Sequence, residues 1–128
     1  MTLLHAELQD FPWYTTTALA ASATYTGGWK RVFYIPASTV TATPVSEPWA
    51  RYITGVVFAD QSGTLRIEHS NDGGDTVHFR ESFTVAANLA GAVQFLRRTA
   101  GAFIRVTYVN DATAQTSFSL FAVLVGGV

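Results

Sequence analysis

The chain has 128 residues, a formal net charge of −1, no cysteine and only 13% charged residues. That is the length of one ordinary domain, without a disulfide scaffold, a thiolate metal site or a Cys nucleophile. No cationic surplus is available for a phosphate backbone, so nucleic acid is not an expected partner. The neutral surface implied by so few charges is either Thr/Ser-rich, since 17 Thr and 8 Ser are present, or buried in an assembly.

Residues 1–48 hold all four prolines, Pro12, Pro36, Pro44 and Pro48, and few charges. Leu3, Leu4 and Leu8 fit one or two helical turns over Leu3 to Leu8. The first ten residues carry Glu7 and Asp10 and no Lys or Arg, so a secretory signal is not expected; the chain reads as made in the cytoplasm and used unprocessed. No apolar run reaches 18 residues, and no membrane-spanning helix or membrane partner is expected. One strand is predicted from Trp29 to Ile35, stopped by Pro36. The remainder of 1–48 reads as an irregular arm with a first strand layer, and residues 49–128 as a β-sandwich, in one domain overall.

From residue 49 the period changes to two. Tyr52 to Ala59 is nearly all apolar, as in a strand covered on both faces. Gly55 inside it marks a bulge or a close backbone approach. Asp60-Gln61-Ser62-Gly63 is a turn. Thr64 to Ser70 alternates, with Leu65, Ile67 and His69 on one face and Arg66, Glu68 and Ser70 on the other. Asn71-Asp72-Gly73-Gly74 is the strongest hairpin turn, because Asn, Asp and Gly tolerate positive φ.

Val77 to Val85 alternates again, with Val77, Phe79, Phe83 and Val85 on one face. Glu81 interrupts that face, so a bulge or a paired carboxylate is expected there, an ion pair with a nearby Arg being preferred. After a loop from Ala86 to Ala92 come strands over Val93 to Arg98 and Phe103 to Val109, the latter with Ile104, Val106 and Tyr108 on one face. Thr116 to Val125 closes the chain, alternating at first and apolar on both faces at its end. Strands spaced at roughly ten residues with no long helix give an all-β chain, an antiparallel β-sandwich of jelly-roll-like type.

Signals for chemistry are sparse. His69, His78, Asp72 and Asp75 around the hairpin could be assembled into a metal site, but a polar hairpin tip accounts for them more simply. Asp72-Gly73-Gly74-Asp75 resembles part of a calcium loop without its twelve-residue carboxylate pattern. No nucleophile elbow or phosphate-cradling loop is present, and Ser70 beside His69 and Asp72 is sequence adjacency, not a triad. The expectation is a non-enzymatic protein without cofactor or metal. Trp13, Tyr14, Trp29, Tyr34 and Trp49 could form a sugar-stacking row, but aromatics without polar partners fit a protein interface better. Phe11, Trp13, Tyr14, Trp29 and Trp49, with Phe121, Val123 and Val125 of the last strand, are the expected interface residues.

The run Gly55-Val-Val-Phe-Ala-Asp-Gln-Ser-Gly-Thr-Leu-Arg-Ile-Glu-His-Ser-Asn-Asp-Gly73 resembles a recurrent segment of tailed-bacteriophage structural proteins. So do Phe103 to Asp111 and Ala114 to Phe118, and the resemblance extends over about residues 50–125. These phage proteins are small β-sandwich modules of virions, including capsid decoration and head-fibre components. The resemblance implies a virion structural protein assembled in the host cytoplasm. In its decoration form it would bind the major capsid protein on the outside of the head and bridge subunits, as a homo-oligomer with a trimer favoured by symmetry. A carbohydrate-binding module of a head or tail fibre, and a tail-tube or head-completion protein, are the alternatives. The resemblance transfers no catalytic residues.

Overall fold

Apolar residues at every second position oblige a strand to bury one face, and two such sheets bury theirs against each other. In the computed structural model, which describes residues 12–32, 50–88, 91–100 and 102–126, nine strands do this. They are β1 (Trp13–Thr15), β2 (Thr24–Thr26), β3 (Lys30–Arg31), β4 (Ala50–Ala59), β5 (Gly63–Ser70), β6 (Phe79–Val85), β7 (Val93–Arg98), β8 (Phe103–Asn110) and β9 (Phe118–Gly126). Sheet A has the order β1-β9-β4-β7. Sheet B has the order β2-β8-β5-β6, with β3 lying beyond β2 along the same edge of β8. Every pairing is antiparallel. From β1 onward the chain crosses repeatedly between the sheets, an antiparallel β-sandwich as the strand spacing predicts.

The core is the set of inward positions. Ile53, Val57, Leu120, Ala122 and Leu124 of sheet A meet Leu65, Ile67, Ile104, Val106 and Tyr108 of sheet B, all of them buried. These are the faces that alternation assigns in β5 and β8. Tyr108 packs on Phe118 with ring centroids 5.0 Å apart. Gly63 lies flat on the Tyr108 ring, where a Cβ would fall 2.5 Å from the phenol oxygen. Burial, and then the negative charge of Asp111, push the Tyr108 phenol up to about 12.

Several local expectations are corrected. The strand predicted from Trp29 to Ile35 is only the two residues of β3 among the described ones; Phe33 to Ile35, Pro36 and the helical segment Leu3 to Leu8 lie outside the described residues. β1 and β2 are too short for a periodic signal. The strand expected from Val77 begins at Phe79. The reason is local competition for hydrogen bonds. Ser70 Oγ accepts from the Asp72 and Gly74 amides, and the Asp72 carboxylate accepts from the Ser70 hydroxyl and the Thr76 amide, which widens the loop. Gly55 is a close approach, not a bulge: a Cβ there would meet the Phe121 carbonyl and the Phe95 ring.

Gly73 and Gly74 of this loop have φ of 81° and 104°. A Cβ at Gly73 would meet nothing within 4 Å, so its backbone angle is the whole constraint. Gly73→Val should therefore cost about 1–2 kcal/mol of stability, read from a urea melt. An unchanged midpoint would show that the loop adapts without strain.

Candidate assembly face

Two sheets have two outer faces, and here they differ. On the outer face of sheet B, Glu68 lies between Arg105 of β8 and Arg80 of β6, its direct cross-strand neighbours. Both Arg Nε groups donate to its carboxylate at 2.7 Å, and Glu68 is 2% exposed. Burial by itself raises this carboxyl; the hydrogen bonds and charges of Arg105 and Arg80 outweigh it and hold the group below the usual carboxylate range. The Arg105 guanidinium in turn covers the Trp29 ring at 4.5 Å. Alternation places Glu68 on the polar face, but not under two arginines. The Arg80 contact follows from the hairpin register; Arg105 arrives from a distant strand, and no local signal announces it. Beside this row lie Arg66 in a row with Ser82 and the buried Thr107, and Thr64 between Thr84 and Val109, a mixture of charged, hydroxyl and apolar side chains.

The outer face of sheet A is apolar. Its rows follow from the register. Tyr14 stands beside Phe121, Phe121 beside Val56, and Val56 beside Gln94. The next row is Val123, Thr54 and Leu96, and the one after it Val125, Tyr52 and Arg98. Tyr14, Leu96, Phe121 and Val125 are 62%, 56%, 40% and 40% exposed. Arg98 is the one charged side chain on the strands of this face among the described residues, and it lies at a corner over the Tyr52 ring. Between Leu96 and Phe121 runs an open cleft of about 520 Å³, floored by Thr54, Gly55 and Val56 and edged by Gln94 and Phe95. β4 was expected to be covered on both faces; among the described residues only its inner face is.

The expected interface residues therefore separate. Tyr14, Phe121, Val123 and Val125 gather on this one face. Trp13 does not belong with them. It is 3% exposed, its Nε1 donates to the Gly28 carbonyl at 2.8 Å, Gly27 packs against its ring, and Lys30 Nζ lies 5.1 Å from the ring centre. β1 points Trp13 inward by pairing with Ala122, so it closes one side of the sandwich. Trp29 is half-buried on the other sheet under Arg105. Phe11 and Trp49 lie outside the described residues, as does Tyr34. Trp13, Tyr14 and Trp29 thus point into three different surroundings and form no continuous stacking row.

The polar candidates have structural partners. His69 is buried, its Nδ1 2.6 Å from the Ala100 carbonyl and its ring against Phe79. His78 Nδ1 accepts from the Asn71 amide in the loop. Asp72 is held down to about 2, first by the Ser70 hydroxyl and then by the Thr76 amide. No group of three or more His, Asp or Glu converges among the described residues. Glu81 meets Arg97 at 4.0 Å, and Arg97 also covers the Phe83 ring at 4.4 Å, closing the other side of the sandwich. This is the ion pair that the break in the β6 pattern predicts.

The family described as the N-terminal domain of the uncharacterised protein YqxG matches residues 6–125. Among curated protein sequences none matches the chain. The crystal structure of PBSX exported protein XepA superposes with a TM-score of 0.68 at 22% identity, over 94% of this chain and 39% of that one. The chain thus spans well under half the length of XepA, with which it shares the fold. A chain from disulfide-linked pili that form Bacillus endospore appendages aligns over 94% of this chain and 92% of its own, at 14% identity and a TM-score of 0.38.

Proposed function

We propose that this chain, which belongs to the YqxG N-terminal domain family, is a non-enzymatic structural module that acts by attachment through the outer face of sheet A. The observation that carries this reading is the nearly uncharged face itself. Monomeric proteins seldom leave a contiguous apolar patch of this kind uncovered without an interaction to match. The likeness of residues 50–125 to tailed-phage virion proteins supports a place on a phage particle. The name of the structural relative XepA, an exported protein, supports a place outside the cell. In the finer form of the proposal the chain is a capsid decoration protein that bridges subunits of the head. Attachment draws on removal of apolar surface from water at ~25 cal/mol per Å², less the cost of ordering.

The test is co-sedimentation with phage particles of the source strain. The parent chain should pellet with them. The double variant Leu96→Glu/Phe121→Glu should remain in the supernatant, because burying two carboxylates without partners costs several kcal/mol. Undiminished co-sedimentation of a folded double variant would move the contact elsewhere and overturn the reading. Binding to host-wall glycan instead of particles would favour the carbohydrate module.

A further inference from the structure

We infer that the outer face of sheet B holds a binding site for the carboxylate of an acidic sugar, centred on Arg66 and bordered by hydroxyls. This site is independent of the attachment face, since it lies on the opposite side of the sandwich. A chain seated through sheet A turns it away from the seat.

The sheet itself shows how an arginine on this face is satisfied. Arg80 and Arg105 each donate Nε to the Glu68 carboxylate at 2.7 Å, one to each oxygen. Arg66 stands at the next outward position of β5 without such a partner. Its row crosses β2, β8, β5 and β6 as Thr26, Thr107, Arg66 and Ser82, and contains no carboxylate. Arg66 Nε is buried, with no hydrogen-bond partner among the described residues. The hydroxyl of its register neighbour Thr107, a residue 4% exposed, is in the same condition. Two buried polar groups left bare on neighbouring strands carry a desolvation cost, and an anionic acceptor bound by both removes it.

Charge selects the ligand's reacting group. Nε and one Nη of a guanidinium form a planar fork that matches the two oxygens of a carboxylate. Of the arginines on β5, β6 and β8, Arg66 is the one not bonded to Glu68, so it balances a single negative charge. A phosphate monoester carries nearly twice that charge and calls for a second cation or a nest of backbone amides. The row supplies neither. The three arginines against one glutamate still leave a positive surplus, which draws a polyanion toward the face.

The neighbours select the ligand's body. Thr26, Thr107 and Ser82 share the row of Arg66, and Thr64 and Thr84 stand in the next. Hydroxyls both donate and accept, as the ring hydroxyls of a sugar do. An acidic peptide offers carboxylates in succession and would call for further uncommitted cations beside Arg66.

Titration of the parent chain with trigalacturonate, followed in a nitrogen-edited NMR spectrum, is the experiment. The Arg66 Nε–H signal should shift. The fully methyl-esterified trisaccharide, similar in shape but neutral, should bind about tenfold or more weakly, the loss of a charge-assisted hydrogen bond. Arg66→Gln should lose the same factor, and Arg66→Lys, which keeps the charge without the fork, should restore only part of it. Arg66 has no partner in the fold, so thermal melts should report both variants folded. Leu96→Glu/Phe121→Glu, altered on the other sheet, should bind the uronate like the parent. Loss of particle association in that variant with uronate binding retained would confirm two separate faces. An unmoved Arg66 signal, or equal binding of acid and ester, would overturn the site while leaving the attachment reading intact. Tighter binding of inorganic phosphate than of the uronate would overturn the carboxylate assignment. Tighter binding of hexaglutamate would give the face to an acidic protein segment and overturn the sugar.

Discussion

Trp13→Ala should destabilise the chain by about 3–5 kcal/mol, the cost of deleting a buried indole and leaving its cavity. Trp13 is 3% exposed. The Gly27 backbone packs against the ring, and the Gly28 carbonyl loses its Nε1 donor. Lys30, whose ammonium burial already pushes downward, loses the ring it covers. The neighbouring substitution Tyr14→Ala is the internal control. Tyr14 points outward and is 62% exposed, so its removal should change stability by no more than about 0.5 kcal/mol. Urea melts of the two variants decide the matter. Equal, small shifts would mean that β1 is not an integral strand of sheet A and that Trp13 is free to serve an interface.

Glu68→Gln should cost about 2–4 kcal/mol at neutral pH, because it leaves two guanidinium groups facing an amide where a buried carboxylate accepted from both. Its pH dependence follows from the same contacts. The folded-state pKa of Glu68 lies below its unfolded value. Its contribution is therefore present above the ordinary carboxylate range and is lost as pH falls through the depressed folded value. Asp72, held down to about 2 in the loop, adds to the same acid limb. The parent chain should lose stability steeply below about pH 4, the unfolded carboxylate range. Glu68→Gln should be less stable at pH 7 and show a shallower acid limb. A variant whose stability parallels the parent at every pH would show that the Arg80–Glu68–Arg105 row contributes nothing.

Alternation is a local property, and it was sufficient for much of the architecture. It assigned the inward faces of β5 and β8 and the extent of β7, and it marked Glu81 as a residue needing an arginine. The two-sided apolar character of β4 and β9 was legible too, as was the candidacy of Tyr14, Phe121, Val123 and Val125. The tertiary structure alone decided what these signals mean. β1 is three residues long, too short for any period, so pairing with β9 was needed to turn Trp13 inward and Tyr14 outward. Arg105 reaches Glu68 only because β8 inserts beside β5. An apolar strand face looks the same in sequence whether the chain covers it or leaves it for a partner. Which face stays bare depends on strand order, and strand order is set by contacts between residues far apart in the chain.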